Sequence, residues 1–184
     1  MHGVVLFGRP CSGKSTIGRE FAKRYGYKYI SSGDIARELA ERDEKAQADL
    51  AAGKMAPEEL MRAQVRFKIR MCETVGQNFV LDGFPRFMDQ HDFLQKTFPD
   101  IRMIYVHIFV SDMVARMRAL RRKRNDDEAI DGRLAYFNDH TYEILKRCDI
   151  TINNNDGGEV SALAMTNRVE ELYEEVAYAV GSEV

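Results

Sequence analysis

Apolar residues follow two alternating rhythms along the chain. Short runs such as Val4-Val5-Leu6-Phe7 are continuous and rich in β-branched residues, as strands buried on both faces of a parallel sheet are. Runs of this kind predict strands at 3–7, 27–30, 78–81, 103–109 and 149–152. Between them apolar residues recur at helical intervals, as Ile17, Phe21 and Tyr25 do before a closing Gly26. This spacing predicts helices near 14–25, 33–44, 57–74, 111–122, 130–147 and 159–179. Strand alternating with helix implies an α/β fold, three layers with a five-stranded parallel sheet in the middle. Ligands of such sheets sit beyond the carboxyl ends of the strands. Two segments break the rhythm. Residues 31–76 hold a long helical excursion, and residues 116–127 gather Arg116, Arg118, Arg121, Arg122, Lys123 and Arg124 before Asp126-Asp127-Glu128. Both are candidates for parts that move over a substrate.

Composition narrows the class. The 184 residues, 45% hydrophobic and 30% charged, suit one folded domain over 1–184. A net charge of −2 gives no general pull toward nucleic acid or anionic membrane. No apolar stretch approaches the ~20 residues of a membrane span. Met1 leads straight into the first predicted strand, which leaves no room for a signal peptide. Cys11, Cys72 and Cys148 are far apart and lack C-x-x-C spacing, which argues against a disulfide framework or a zinc site. The expectation is a cytoplasmic monomer with small-molecule partners, binding neither nucleic acid nor membrane.

Candidate chemistry lies just after the predicted strands. Gly8-Arg9-Pro10-Cys11-Ser12-Gly13-Lys14-Ser15 fills every position of G-x-x-x-x-G-K-[ST], the phosphate-binding loop. Its glycines let backbone N–H groups turn around an anion, the next helix points its positive end there, and the lysine adds a full charge. A plain strand-to-helix turn would need the glycines but not Lys14 and Ser15. The third strand ends in Asp82-Gly83-Phe84-Pro85-Arg86. An acid beside a phosphate loop suits the water shell of Mg²⁺, and Arg86 can fork onto a phosphate. Taken alone, this segment is equally a turn with solvated charges. After the second strand comes Ser31-Ser32-Gly33-Asp34-Ile35-Ala36-Arg37, which also reads as a helix N-cap.

These three motifs, in this order, resemble the adenylate kinase family of nucleoside monophosphate kinases over nearly the whole chain. Asp82-Gly83-Phe84-Pro85-Arg86 is similar to the family's most specific signature. Gly53-Lys54-Met55-Ala56-Pro57 resembles the stretch lining the monophosphate base, Arg124-Asn125-Asp126-Asp127 the motif closing the lid, and Asn155-Asp156-Gly157-Gly158 the loop touching the ATP adenine. The resemblance implies a phosphate-loop NTPase-type fold with a monophosphate-binding segment inserted at 31–60 and a short lid at 121–130. It implies ATP + NMP ⇌ ADP + NDP with Mg²⁺ at Ser15 and Asp82. ATP would meet Pro10, Cys11, Ser12, Gly13, Lys14, Ser15, Thr16, Arg121 and Gly158. The acceptor would meet Ser32, Arg37, Lys54, Ala56, Gly83, Arg86, Gln90, Arg124 and Arg133. Lys14, Asp82, Arg86, Arg124 and Arg133 would carry catalysis, because phosphoryl transfer needs in-line positioning and positive charge.

Ser32 before Gly-Asp, and Gln90 four residues after Arg86, match the adenylate kinases and favour AMP, since a glutamine amide offers donor and acceptor to an adenine edge. The alternatives are a UMP/CMP kinase, another NMP kinase, or a nucleotide-binding module without catalysis. The chain departs from the family in two places. Arg9 stands where a small residue is usual, and Cys11 and Ser15 where glycine is usual. The lid lacks Cys and His and is unusually short, so no zinc is expected, and Arg116, Arg118 and Arg121 compete for the ATP phosphates, with Arg121 preferred.

Overall fold

The computed structural model describes residues 1–41, 47–48, 56–122, 130–156 and 162–181. Five parallel strands form one sheet: β1 (His2–Phe7), β2 (Lys28–Ser31), β3 (Phe79–Asp82), β4 (Arg102–Phe109) and β5 (Ile150–Asn153), in the order β2-β3-β1-β4-β5. Every strand end falls within one residue of its expected place. The helices are α1 (Lys14–Tyr25), α2 (Ser32–Ala40), α3 (Glu58–Thr74), α4 (Met88–Thr97), α5 (Asp112–Arg122), α6 (Ile130–His140), α7 (Tyr142–Leu145) and α8 (Ala162–Gly181).

Alternation along β1 makes the three layers. Val4 and Leu6 join a core with Ile17 and Phe21 of α1 and Val169, Leu172 and Val176 of α8. Val5 and Phe7 belong to the opposite core, with Ile35 of α2, Val65 and Ile69 of α3, Leu94 of α4 and Ile144 of α7. Each side chain so buried contributes about 1.5–3 kcal/mol. Gly18 lets α1 lie close on the sheet: a Cβ there would come within 2.5 Å of the Leu6 side chain. A smaller cluster of Val110, Val114, Ala115 and Leu134 joins α5 to α6.

Two features differ from the expected pattern. Helix α4 was not foreseen, because its buried positions are Gln90 and Leu94, and a glutamine on the inner face hides the apolar period. The single helix expected at 130–147 is two, α6 and α7, divided at Thr141. The Thr141 hydroxyl donates to the Arg86 carbonyl at 3.2 Å, tying that break to the turn after β3.

Candidate active site

The central strand β1 delivers the phosphate loop. The chain reverses through residues 8–13 and enters α1 at Lys14. Gly13 takes φ +90° and Cys11 φ +60°, left-handed conformations that turn successive amides the same way. Ser12 N–H donates to the Arg9 carbonyl at 3.1 Å, and Lys14 Nζ donates to the same oxygen at 3.3 Å. No side chain caps the α1 N-terminus, so its first amides and positive end suit an anion. The loop is braced from outside. Asn154, just beyond β5, donates from Nδ2 to the Ser12 carbonyl at 2.7 Å. A Cβ on Gly13 would meet that Nδ2 at 2.6 Å, so glycine is needed here for space as well as for φ. Arg118 of α5 donates to the carbonyls of Cys11 (3.4 Å), Ser12 (3.3 Å), Asn154 (2.7 Å) and Asp156 (3.1 Å).

Asp82 closes β3, whose register sets it beside Leu6 of β1. Ser15 Oγ and the Tyr29 hydroxyl each donate to its Oδ2 at 2.5 Å. Its Oδ1 is buried and has no hydrogen-bond partner among the described residues. Burial, and then the neighbouring Asp82 carboxylate, push the Tyr29 hydroxyl well above its ordinary pKa, so it remains a donor. An orphaned carboxylate oxygen beside a serine hydroxyl and a phosphate loop fits Mg²⁺, which uses one or two protein oxygens and keeps its waters. No group of three or more His, Cys, Asp or Glu able to cage a metal occurs among the described residues.

Cations converge on the same end of the sheet. Burial lowers the Lys14 pKa, and Arg86 and Arg133 lower it further against the opposing pull of Asp82. Arg86 is open to solvent, yet the protein crowding its guanidinium, and then Arg133, bring it below the usual arginine value. Its Nε donates to the Gly83 carbonyl at 3.0 Å. Three like charges act on one another here, with Asp82 and Glu58 as opposing carboxylates among the described residues, an arrangement that suits an anion.

Beside this cluster lies a second group of polar side chains. Ser32 Oγ donates to the Gly83 carbonyl at 2.8 Å, fastening α2 to the turn after β3. Arg37 is exposed and pairs with Asp34, which also accepts Arg19 Nη2 at 2.7 Å. Gln90 is buried: its Oε1 accepts the Arg86 N–H and its Nε2 donates to Glu58, both at 2.7 Å. Ala56 packs on the core shared by α2 and α3.

A family model described as an AAA domain matches residues 7–132, from the end of β1 into α6. The adenylate kinase of Leuconostoc mesenteroides is 38% identical over 141 residues, 72% of this chain and 75% of that protein. Those of Mycobacterium leprae (strain Br4923) and Nocardia farcinica are 32% and 31% identical over 78% and 85% of this chain, and over 83% and 92% of their own lengths. The chain belongs to the adenylate kinase family. It is a nucleoside monophosphate kinase, a phosphotransferase on a phosphate-loop α/β/α fold.

In this adenylate kinase family member the expected residues are placed as follows. Pro10 to Gly13 lie in the loop, Lys14, Ser15 and the exposed Thr16 form the first turn of α1, and Asp82, Gly83, Arg86 and Arg133 lie toward the same end of the sheet. Lys54, Arg124 and Gly158, with most of the lid and part of the 31–60 insertion, lie outside the described residues. The arginine against the loop is Arg118, while Arg121 is exposed three residues further along α5. One helical turn separates the two, and sequence spacing alone does not rank them. Tyr29, Glu58, Arg62 and Asn154 carry no motif and were missed. Only the place of Tyr29 within a strand that runs toward the site, and the helix-start position of Glu58, hinted at it. No helix among the described residues is long and apolar enough to cross a membrane.

Proposed function

We propose that the protein moves the γ-phosphoryl group of ATP, as its Mg²⁺ complex, onto AMP to give two ADP. The observation carrying this reading is the convergence of Lys14, Arg86 and Arg133 beside Asp82. An acceptor phosphate oxygen bonds to the γ-phosphorus as the bond to the β–γ bridging oxygen breaks. Charge spreads over the equatorial oxygens, and fixed cations stabilise it most when water is excluded. Lys14 and the loop amides hold the donor phosphates, while Arg86 and Arg133 lie between donor and acceptor. Ser15 and Asp82 would hold Mg²⁺, which when bound neutralises the β- and γ-phosphates and orients them. Ser32 and Gln90 support an adenine acceptor.

A coupled ADP-formation assay with ATP against AMP, UMP, CMP, GMP and no acceptor tests the reading. AMP-dependent turnover is expected to dominate, and Lys14→Met to lower it by two or more orders of magnitude with the fold intact. Preference for UMP or CMP would move the protein to the sibling pyrimidine kinases. Turnover unaffected by Lys14→Met would remove the loop assignment.

A further inference from the structure

Glu58, the first residue of α3, and Gln90, in the first turn of α4, meet side by side. Gln90 Nε2 donates to Glu58 Oε2 at 2.7 Å, and Gln90 Oε1 accepts the Arg86 backbone N–H at 2.7 Å. The other Glu58 oxygen accepts Arg62 Nε at 2.5 Å. Arg62 Nη2 continues to Asp89 at 2.6 Å, and the guanidinium lies 5.4 Å from the centre of the Phe93 ring. Glu58 is therefore itself held in place.

A glutamine amide can exchange its oxygen and nitrogen by a half-turn, and only its hydrogen bonds choose between the two. Turning Gln90 over would bring its NH₂ against the Arg86 N–H and its oxygen against the Glu58 carboxylate. Both contacts would then be repulsive in a buried place, where unmade hydrogen bonds cost most.

We propose that Glu58 is a specificity-positioning residue. By fixing the polarity of the Gln90 amide, it makes the acceptor site take bases with an exocyclic amino group beside a ring-nitrogen acceptor and refuse those with an oxo group beside a ring N–H. The proposal rests on the acceptor-base role of Gln90 given above. After its two internal bonds the amide keeps one lone pair on Oε1 and one hydrogen on Nε2. Adenine offers N6–H and N1, which match in that order. Hypoxanthine and guanine offer O6 and N1–H, the same pair reversed. A freely turning amide would serve either kind, whereas a locked one meets the 6-oxo purines with like against like. Sites built to hydrogen-bond a particular edge reject the wrong edge strongly.

The experiment measures kcat and KM for AMP and IMP at saturating ATP in the wild type, Glu58→Ala, Glu58→Leu and Glu58→Gln, each with a thermal melt. In the wild type, AMP is expected to be used far better than IMP. In Glu58→Ala and Glu58→Leu the AMP:IMP ratio of kcat/KM falls about tenfold or more, through a higher KM for AMP and a lower KM for IMP, with the KM for ATP unmoved. Glu58→Gln, whose side-chain oxygen can still accept from Gln90, recovers most of the ratio. A purely structural role would instead shift the melt and weaken every substrate alike. An unchanged ratio in whichever of the alanine and leucine variants folds overturns the proposal and leaves AMP phosphorylation standing. A wild type that uses IMP as readily as AMP also overturns it. A wild type with no AMP-dependent ADP formation removes the acceptor reading itself.

Discussion

Ser15 and Tyr29 share one oxygen of Asp82: both hydroxyls donate to Oδ2 at 2.5 Å, and Oδ1 is left buried and unpartnered among the described residues. The two donors fix the carboxylate plane, so that Oδ1 would be the oxygen to hold a metal-bound water. Tyr29→Phe removes one donor without changing the ring. It is expected to weaken Mn²⁺ binding in the presence of ATP about tenfold, since groups that orient metal-holding carboxylates act on this scale. Mn²⁺ titration by electron paramagnetic resonance reads this directly. Equal affinity in variant and wild type would refute the orienting role.

Arg9 ties the loop to the helices on either side of residues 123–129. Its Nε donates to Asp112 at 2.6 Å, and its Nη atoms donate to the Val110 carbonyl and to Asn138, both at 3.3 Å. Its guanidinium also lies 5.4 Å from the centre of the Phe137 ring. Arg9→Ala is expected to destabilise the protein by about 1.5–3 kcal/mol, the range for hydrogen bonds to a charged group. Arg9→Lys should recover less than half, because an ammonium cannot fork to three partners at once. Urea unfolding of the three proteins checks both statements.

His107 makes stability depend on acid. Burial, and then the Arg9 charge, lower its pKa from 6.5 to about 4, and its buried Nε2 has no partner among the described residues. Between those two values the unfolded chain holds a proton that the folded protein refuses. The contribution of this group is therefore complete above pH 6.5 and is lost as pH falls toward 4. His2 is lowered too, by burial first, and adds to the same slope. Urea midpoints at pH 7.5 and 5.0 should differ less in His107→Phe than in the wild type. An identical difference would mean that His107 does not titrate in this window.

Cys11 occupies φ +60°, where a side chain costs about 1–2 kcal/mol. Cys11→Gly relieves that strain but loosens the unfolded chain by about 0.5–1 kcal/mol, so a net gain between nothing and about 1.5 kcal/mol is expected. Cys11→Val, branched at Cβ, should be clearly destabilising. Denaturation midpoints that rise for valine or fall for glycine would contradict this account.

The sheet was legible because its strands are short, apolar and buried on both faces. Val4-Val5-Leu6-Phe7 admits little else, and Lys14 and Asp82 follow strand ends, where a parallel sheet opens its binding edge. Helix α4 escaped because Gln90 stands where an apolar residue would have signalled the inner face. The contact of Arg118 with the loop was hidden for a different reason. Both lie on one helix, and only the position of α5 against the loop decides which guanidinium reaches the carbonyls. Tyr29 and Glu58 act through single hydrogen bonds to residues 53 and 32 positions away. No local pattern encodes such pairings.

The cluster of Lys14, Arg86 and Arg133 has a consequence for the protein without nucleotide. Like charges crowded together repel one another, and that repulsion works against the folded state until an anion arrives. A polyanion such as inorganic pyrophosphate should therefore raise the melting temperature even where no chemistry follows, and far more than chloride at equal ionic strength. In the folded protein these cations repel one another across the end of the sheet, and a bound polyanion would relieve that repulsion.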